Sequence, residues 1–281
     1  MVLGMVNHIN SQNEFNNYIK ADYNVFPFLE KNTIEKYSIE SQYEFNLKKS
    51  KLGFILDYDF TNFTLNTKDF NYVEHFSEAH TLKIGVSYNK LFDNNISISS
   101  NITPVLSSNM EQSIVMEDFY VLGDLAFSKK WNKKNSNYNF SIGITQGNAL
   151  GKPSIYPTFS ISKTTNNWNY TLGFPESKIT YTKNQHLLSL NGAFEGNYIN
   201  NNALFINTDL ESYNNSKITY KTTNINLEYG CYLSEKTITF FRLGYLPTSD
   251  IKITNSNNNT LQNTSSNNGF SFSLGLKFNL K

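Results

Sequence analysis

The sequence predicts an all-β protein: one antiparallel transmembrane β-barrel of about 14 strands, with 12 as the alternative count. Three observations lead there. Apolar and polar residues alternate with period two almost from end to end. The alternating runs are long, commonly about 10–13 residues, where strands of soluble domains average five or six. Short and long connections also tend to alternate along the chain, which gives a barrel one short-turn end and one long-loop end.

The last run is the clearest. Phe270, Phe272, Leu274, Leu276, Phe278 and Leu280 alternate with Gly269, Ser271, Ser273, Gly275, Lys277 and Asn279. A strand projects successive side chains to opposite faces, so one face is greasy and the other small and hydrated. The pattern recurs at Tyr37, Ile39, Tyr43, Phe45 and Leu47, and again at Leu52, Phe54, Leu56, Tyr58 and Phe60. It continues through Leu82, Ile84, Val86 and Tyr88, then Tyr138, Phe140, Ile142 and Ile144. Trp168, Tyr170, Leu172 and Phe174 form a further stripe, as do Ile225, Leu227 and Tyr229.

Strands are expected near 15–27, 36–48, 51–62, 79–90, 95–106, 117–129, 137–146, 154–162, 167–182, 186–196, 203–211, 218–231, 236–246 and 269–280. The phase slips at Pro175, so 167–182 reads as one bulged strand or as two short ones. Tight joins are expected around Lys49, Phe92, Thr165 and Ser234. Longer ones are expected around Lys31, Asn71, Ser108 and Asn148, and through the Asn-rich run 249–268. Residues 1–14 form a short polar segment that either tucks into the lumen or frays, and 15–281 make one barrel domain.

Alternation does not by itself say which face is enclosed. A soluble sandwich or small barrel buries its apolar face with the same pattern. Strand length, a polar face of Ser, Thr, Asn and Gly with charges of both signs, and Tyr and Phe near strand ends favour the inverted arrangement. Closure also removes the sheet edges that so many strands would otherwise expose.

Composition excludes several function classes. The 281 residues carry 24 basic and 23 acidic side chains, a net charge of +1, so no basic excess marks a nucleic-acid partner. A single cysteine, Cys231, precludes an internal disulfide framework and a cysteine-rich zinc site. Four histidines leave little for a metal cage, and no cofactor is implied. The 43 asparagines and the lone arginine, Arg242, are most simply a base-composition effect of an AT-rich genome. No stretch approaches the roughly 18–20 apolar residues of a membrane helix. The opening Met1-Val2-Leu3-Gly4-Met5-Val6 is short for the core of a secretory signal, which leaves a mature chain or a non-exported one as alternatives.

Trp168-Asn169-Tyr170-Thr171-Leu172-Gly173-Phe174-Pro175-Glu176-Ser177-Lys178-Ile179-Thr180-Tyr181, followed by Gly192-Ala193-Phe194-Glu195-Gly196-Asn197-Tyr198, resembles an outer-membrane β-barrel family of unknown function from Gram-negative bacteria. The resemblance covers about thirty residues and implies a bacterial outer-membrane location, with no substrate attached. The final strand is similar to the assembly signal of outer-membrane barrels, but it ends on Lys281 where that signal has an aromatic residue. The partners expected are outer-membrane lipid, the barrel-assembly machinery and a small solute, not nucleic acid.

The strand phases place Glu40, Glu44, Asp57, Asp59, Lys83, Asp124, Glu195, Glu228 and Arg242 on the polar face, as a lumenal charged network or constriction. Unpaired charge in a narrow lumen is costly, so cross-strand pairing is expected, with Arg242 as hub because its guanidinium takes bidentate carboxylates. The acidic excess of this set predicts a weak preference for cations if the lumen is open. Phe270, Phe272, Leu274, Leu276 and Phe278 are expected to face lipid. The basic turns at Lys48, Lys49 and Lys51 and at Lys129, Lys130, Lys133 and Lys134 fall at the periplasmic end.

These features point to a non-enzymatic barrel: a passive channel, a small-solute binding or transport protein, or a structural envelope component. The competing readings are an outer-membrane lipid hydrolase and a soluble all-β binding protein. A hydrolase would use His186 and Ser189 with Asn191 or Glu195, but a spacing of three puts His186 and Ser189 on opposite faces of a strand. His75 and His80, with Glu74 and Glu78, match no metal-binding spacing and read as a solvated outer loop.

Overall fold

A computed structural model describes residues 17–28, 32–65, 77–203, 205–206 and 212–280. The segment 1–14, the loop around Asn71 with Glu74 and His75, and Lys281 lie outside the described residues.

Strands run in the order β1 (Tyr18–Phe28), β2 (Asn32–Leu47), β3 (Ser50–Thr64), β4 (Glu78–Leu91), β5 (Ile96–Ser108) and β6 (Phe119–Lys133). There follow β7 (Ser136–Gly147), β8 (Ser154–Thr164), β9 (Trp168–Phe174), β10 (Glu176–Lys183) and β11 (His186–Asn201). The rest are β12 (Phe205–Ile206), β13 (Ser212–Tyr213), β14 (Ser216–Tyr232), β15 (Thr237–Thr254), β16 (Thr260–Ser266) and β17 (Gly269–Asn279). Fourteen of them, β1–β11 with β14, β15 and β17, close into a barrel in which every neighbour is antiparallel. β17 pairs with β1 through Leu274↔Tyr23, and β11 pairs with β14 through Leu190↔Leu227, so the ring has no free edge at mid-height.

Three expectations are corrected although the total of fourteen stands: those for 203–211, for 249–268 and for the connection around Lys31. The segment 167–182 is two wall strands, the second of the two readings the sequence allowed, because Pro175 has no N–H to extend a ladder and the chain reverses there. The stretch 203–211 supplies no wall strand; only Phe205–Ile206 is strand, paired with Ser212–Tyr213 in a separate two-stranded ribbon. The run 249–268 is also largely strand: β15 continues to Thr254 and β16 returns along it, Ile251 opposite Thr264. Around Lys31 only 29–31 separate β1 from β2, so that connection is short.

The outer surface carries the apolar stripes. Leu274, Leu276 and Phe278 are 52%, 46% and 42% exposed, and Ile39, Leu56, Ile84, Ile142, Leu172 and Leu190 project the same way from other strands. Phe270 is exposed too, and Phe272 is half-buried edge-on against Phe241 with ring centroids 4.9 Å apart. Inward positions hold cross-strand hydroxyl pairs: Ser128–Ser141 at 3.0 Å, Ser162–Thr171 at 3.0 Å, Thr180–Ser189 at 2.9 Å and Thr81–Ser107 at 2.7 Å. These inward hydroxyls are thus satisfied within the wall.

The polarity inverts at the long-loop end. No large hydrophobic residue is exposed among the described residues between Phe194 and Ile225, or between Tyr245 and Phe270. There β11, β14, β15 and β16 extend beyond the apolar belt, and Ile199, Ile218, Tyr220, Ile251 and Ile253 are buried. They join one cluster with Phe26, Ile34, Phe63, Leu65 and Ala79, which point inward from the β1–β4 side. Between Thr223↔Thr248 and Ile225↔Tyr245 the β15 side has an extra residue, at Leu246-Pro247. A bulge bends and twists the strand that carries it, and proline there has no N–H to miss. The extension leans across the mouth as a tongue, and Asn200 of β11 bridges in parallel to Ser108 of β5 on the far side.

Candidate functional site: the lumen and its closed mouth

Inward side chains along the barrel fall into separate charge clusters, because pairing follows strand register. Asp57 and Asp59 are two apart on β3, so both face inward. Lys83, opposite Asp57, reaches both carboxylates at 2.6 and 3.1 Å; Lys36 of β2 meets Asp59 at 2.9 Å, and Ser38 donates to Asp59 at 2.7 Å. Asp59 is 3% exposed. A carboxylate so enclosed requires this degree of compensation.

On the opposite wall Glu228 of β14 sits across from Arg242 of β15 and is bonded by its Nε; Lys178 Nζ of β10 lies 3.5 Å from the other carboxylate oxygen. Arg242 also stacks its guanidinium over Phe240, 4.5 Å from the ring centroid. The Phe240 ring crosses close to Gly275, where any Cβ would fall 2.2 Å from a ring carbon; a side chain there would expel the ring.

The other members of the expected set form smaller groups. Tyr18 donates to Glu40 at 2.5 Å, Lys51 pairs with Glu44 at 3.1 Å, and Asn224 donates to Glu195 at 3.1 Å. Asp124 is half-buried beside Asn101, the residue opposite it in register. The nine residues therefore share the inward face but not one network. Arg242 centres only the Glu228 group, and Lys83 is the more connected cation.

The candidate set left out inward lysines, among them Lys20, Lys36, Lys178 and Lys277. Lys20 pairs with Asp22 and Lys277 lies over the Tyr18 ring, 3.9 Å from its centroid. Lys277 was findable, since it shares phase with Ser273 and Gly275. Lys178 was hidden by the phase slip at Pro175. With these lysines counted, the seven acids of the set face six basic groups, and Asp22, inward beside Lys20, is an eighth acid; the excess narrows, and the basis for a cation preference weakens.

At the short-turn end the lumen opens into a cavity of about 370 Å³, lined among others by Lys20, Lys178, Glu228, Phe240, Arg242 and Lys277. Toward the long-loop end it is shut by the apolar cluster; Phe26 and Tyr220 face one another there. The other face of the tongue is held by a buried polar latch. Asn200 Nδ2 donates to Asp118 Oδ1 at 2.6 Å, Lys217 Nζ donates to Asn200 Oδ1 at 2.7 Å, and Asn202 N donates to Asn109 Oδ1 at 3.0 Å. Asp118, Asn200 and Asn202 are buried. These asparagines look like part of a compositional background in the sequence, and only their burial distinguishes them.

The remaining candidates are dispersed. His186 accepts from or donates to Tyr229 at 2.8 Å, while Ser189 is buried and bonded to Thr180, so the two do not form a dyad. His80 bonds Tyr58 at 2.8 Å on the outer face. Among the described residues no three His, Cys, Asp or Glu side chains converge as a metal site.

Comparison with solved structures finds long but distant matches. An outer membrane channel from Pseudomonas putida F1 is 9% identical, with 94% of this chain and 95% of that chain covered and a TM-score of 0.42. The NanC porin is 7% identical, with 93% and 100% covered and a TM-score of 0.41. The outer membrane phospholipase A from Escherichia coli is 10% identical, with 97% and 95% covered and a TM-score of 0.39. No solute or activity is carried over at such distances. No curated protein matches the sequence. A family model does, over residues 34–281, which is nearly the whole barrel. The chain belongs to the family described as a domain of unknown function, DUF6268.

Proposed function

We propose that this protein is a non-enzymatic barrel of the Gram-negative outer membrane, whose lumen admits or binds a small solute from the short-turn, periplasmic end. The observation that carries this reading is the belt of exposed Ile, Leu, Phe and Tyr around a closed wall whose interior is polar. Burying those stripes in water-free hydrocarbon is favourable only where backbone edges are paired or covered, and barrel closure pairs nearly all of them. Lipid surrounds the belt, and the barrel-assembly machinery is the partner that inserts it. No cofactor and no nucleic acid take part.

The apolar seal at the long-loop end makes this a gated or dead-ended lumen, not a freely open pore. Of the charged residues, Asp57, Asp59, Lys83, Glu228 and Arg242 brace the wall, and Lys178 and Arg242 also line the solute cavity. Outer-membrane fractionation, heat-modifiable gel mobility and planar-bilayer conductance test the reading together. A heat-modifiable outer-membrane protein with little or no steady conductance is expected. Extraction without detergent, or large stable conductance steps from the unmodified protein, would overturn it.

A further inference from the structure

The wall is incomplete at one place. β9 and β10 are only 7 and 8 residues long, against 11 for β8 and 16 for β11. Their pairing stops at Phe159↔Phe174 on one side and Glu176↔Ala193 on the other. Beyond those pairs the upper parts of β8 and β11 are separated by the tip of the hairpin at Pro175. Farther up, the loop after β7 closes the gap. A Cβ on Gly196 would lie 2.1 Å from the Asn148 carbonyl and 2.7 Å from Gly151 N, so glycine alone permits that approach.

The result is a window framed by β8, the hairpin tip, β11 and this loop. It is about 10 Å tall, the three-residue rise from Ala193 to Gly196. Aromatic rings fill it: Phe174 stands 5.7 Å from Tyr156 and 5.5 Å from Phe194. Behind Phe174 lies a pocket of about 320 Å³ that includes Thr158, Ser160, Thr171, Glu176 and Lys178. Thr171 and Lys178 also line the larger cavity at the short-turn end. The two spaces therefore adjoin across these two side chains.

We infer that this window is a lateral port through which an uncharged single-chain amphiphile moves between the bilayer and the lumen. The inference rests on the membrane reading above. The chemistry of the lining selects the class. Phe159, Phe174 and Phe194 offer an apolar passage at the level of the belt, while the hydroxyls of Thr158, Ser160 and Thr171 offer partners to a hydroxylated head. Glu176 and Lys178 project into the pocket as one carboxylate and one ammonium, so the charge there balances and neither sign of head is favoured. An apolar chain crossing between aromatic rings stays out of water throughout.

A contact quencher tests this. S160C in a C231S background is labelled with a small fluorophore, and S87C, inward on β4 away from the window, is labelled as the control. Both are reconstituted in phosphatidylcholine vesicles, and spin-labelled monolaurin is added. Quenching at position 160 several-fold above that at 87 is expected. F174A should speed it and F174W slow it, each by about fivefold or more. Equal quenching at both sites, or rates that ignore both Phe174 substitutions, would overturn the port. Stronger quenching by spin-labelled laurate or an alkyl ammonium would overturn the uncharged class. A heat-modifiable band in the same vesicles separates these results from failure of the membrane reading, in which the protein would not insert at all.

Discussion

Phe26 of β1 and Tyr220 of β14 stand with ring centroids 5.8 Å apart across the barrel mouth, although their strands are not neighbours in the wall. Both project inward, where the rest of the lumen is polar, and both are less than 10% exposed. The contact exists because β14 and β15 lean inward past the bulge at Leu246-Pro247, which brings Tyr220, Ile251 and Ile253 onto the inward residues of β1–β4. The door to this lumen is therefore made of the wall itself and closed by an apolar core.

Removing that contact should loosen the door. F26A with Y220A deletes two buried rings; each aromatic-to-alanine change in a core costs about 3–5 kcal/mol. The belt is untouched, so insertion should persist. Planar-bilayer recordings should show new or larger conductance steps than the unmodified protein, and unchanged traces would locate the seal elsewhere.

The latch on the other face of the tongue should respond to D118A. Deleting that carboxylate removes the acceptor of the buried Asn200 amide and a compensating charge near Lys217, a loss of roughly 1–3 kcal/mol for a buried donor left unsatisfied. Hydrogen exchange should accelerate selectively at 196–203 and 216–221, with strands β2 and β3 unaffected. Uniform acceleration over the barrel would mean that the tongue is not a separate unit.

Replacing Leu274 or Leu276 by Arg tests the direction of the apolar face. At mid-depth of a bilayer an outward arginine costs about 2–4 kcal/mol. Folding into liposomes, read by heat-modifiable mobility, should fail or fall sharply. Normal insertion would contradict an outward lipid-facing assignment for Phe270, Leu274, Leu276 and Phe278.

Arg242 and Glu228 should be coupled. R242A leaves Glu228 with only Lys178 at 3.5 Å, so heat resistance should fall more than in the R242A/E228Q double variant. Additive losses in a double-mutant cycle would remove Arg242 from its bracing role.

The chain's own pattern determined the fold class, the face assignment and most strand positions. Period-two alternation is a local property of strands, so stripes such as Leu274-Gly275-Leu276-Lys277-Phe278 are legible without knowing their neighbours. Inward placement of Asp57, Asp59, Lys83, Glu228 and Arg242 followed from the same phase. The tertiary structure alone decided which charges meet, since partners such as Lys178 and Glu228 lie on strands far apart in sequence and come together only when β10, β11 and β14 line up. It also decided the seal. Ile251 and Ile253 alternate as plainly as any lipid-facing pair, but the extra residue at Leu246-Pro247 swaps their face. Whether an apolar stripe meets hydrocarbon or its own opposite wall depends on curvature and closure, and no window of sequence carries that information.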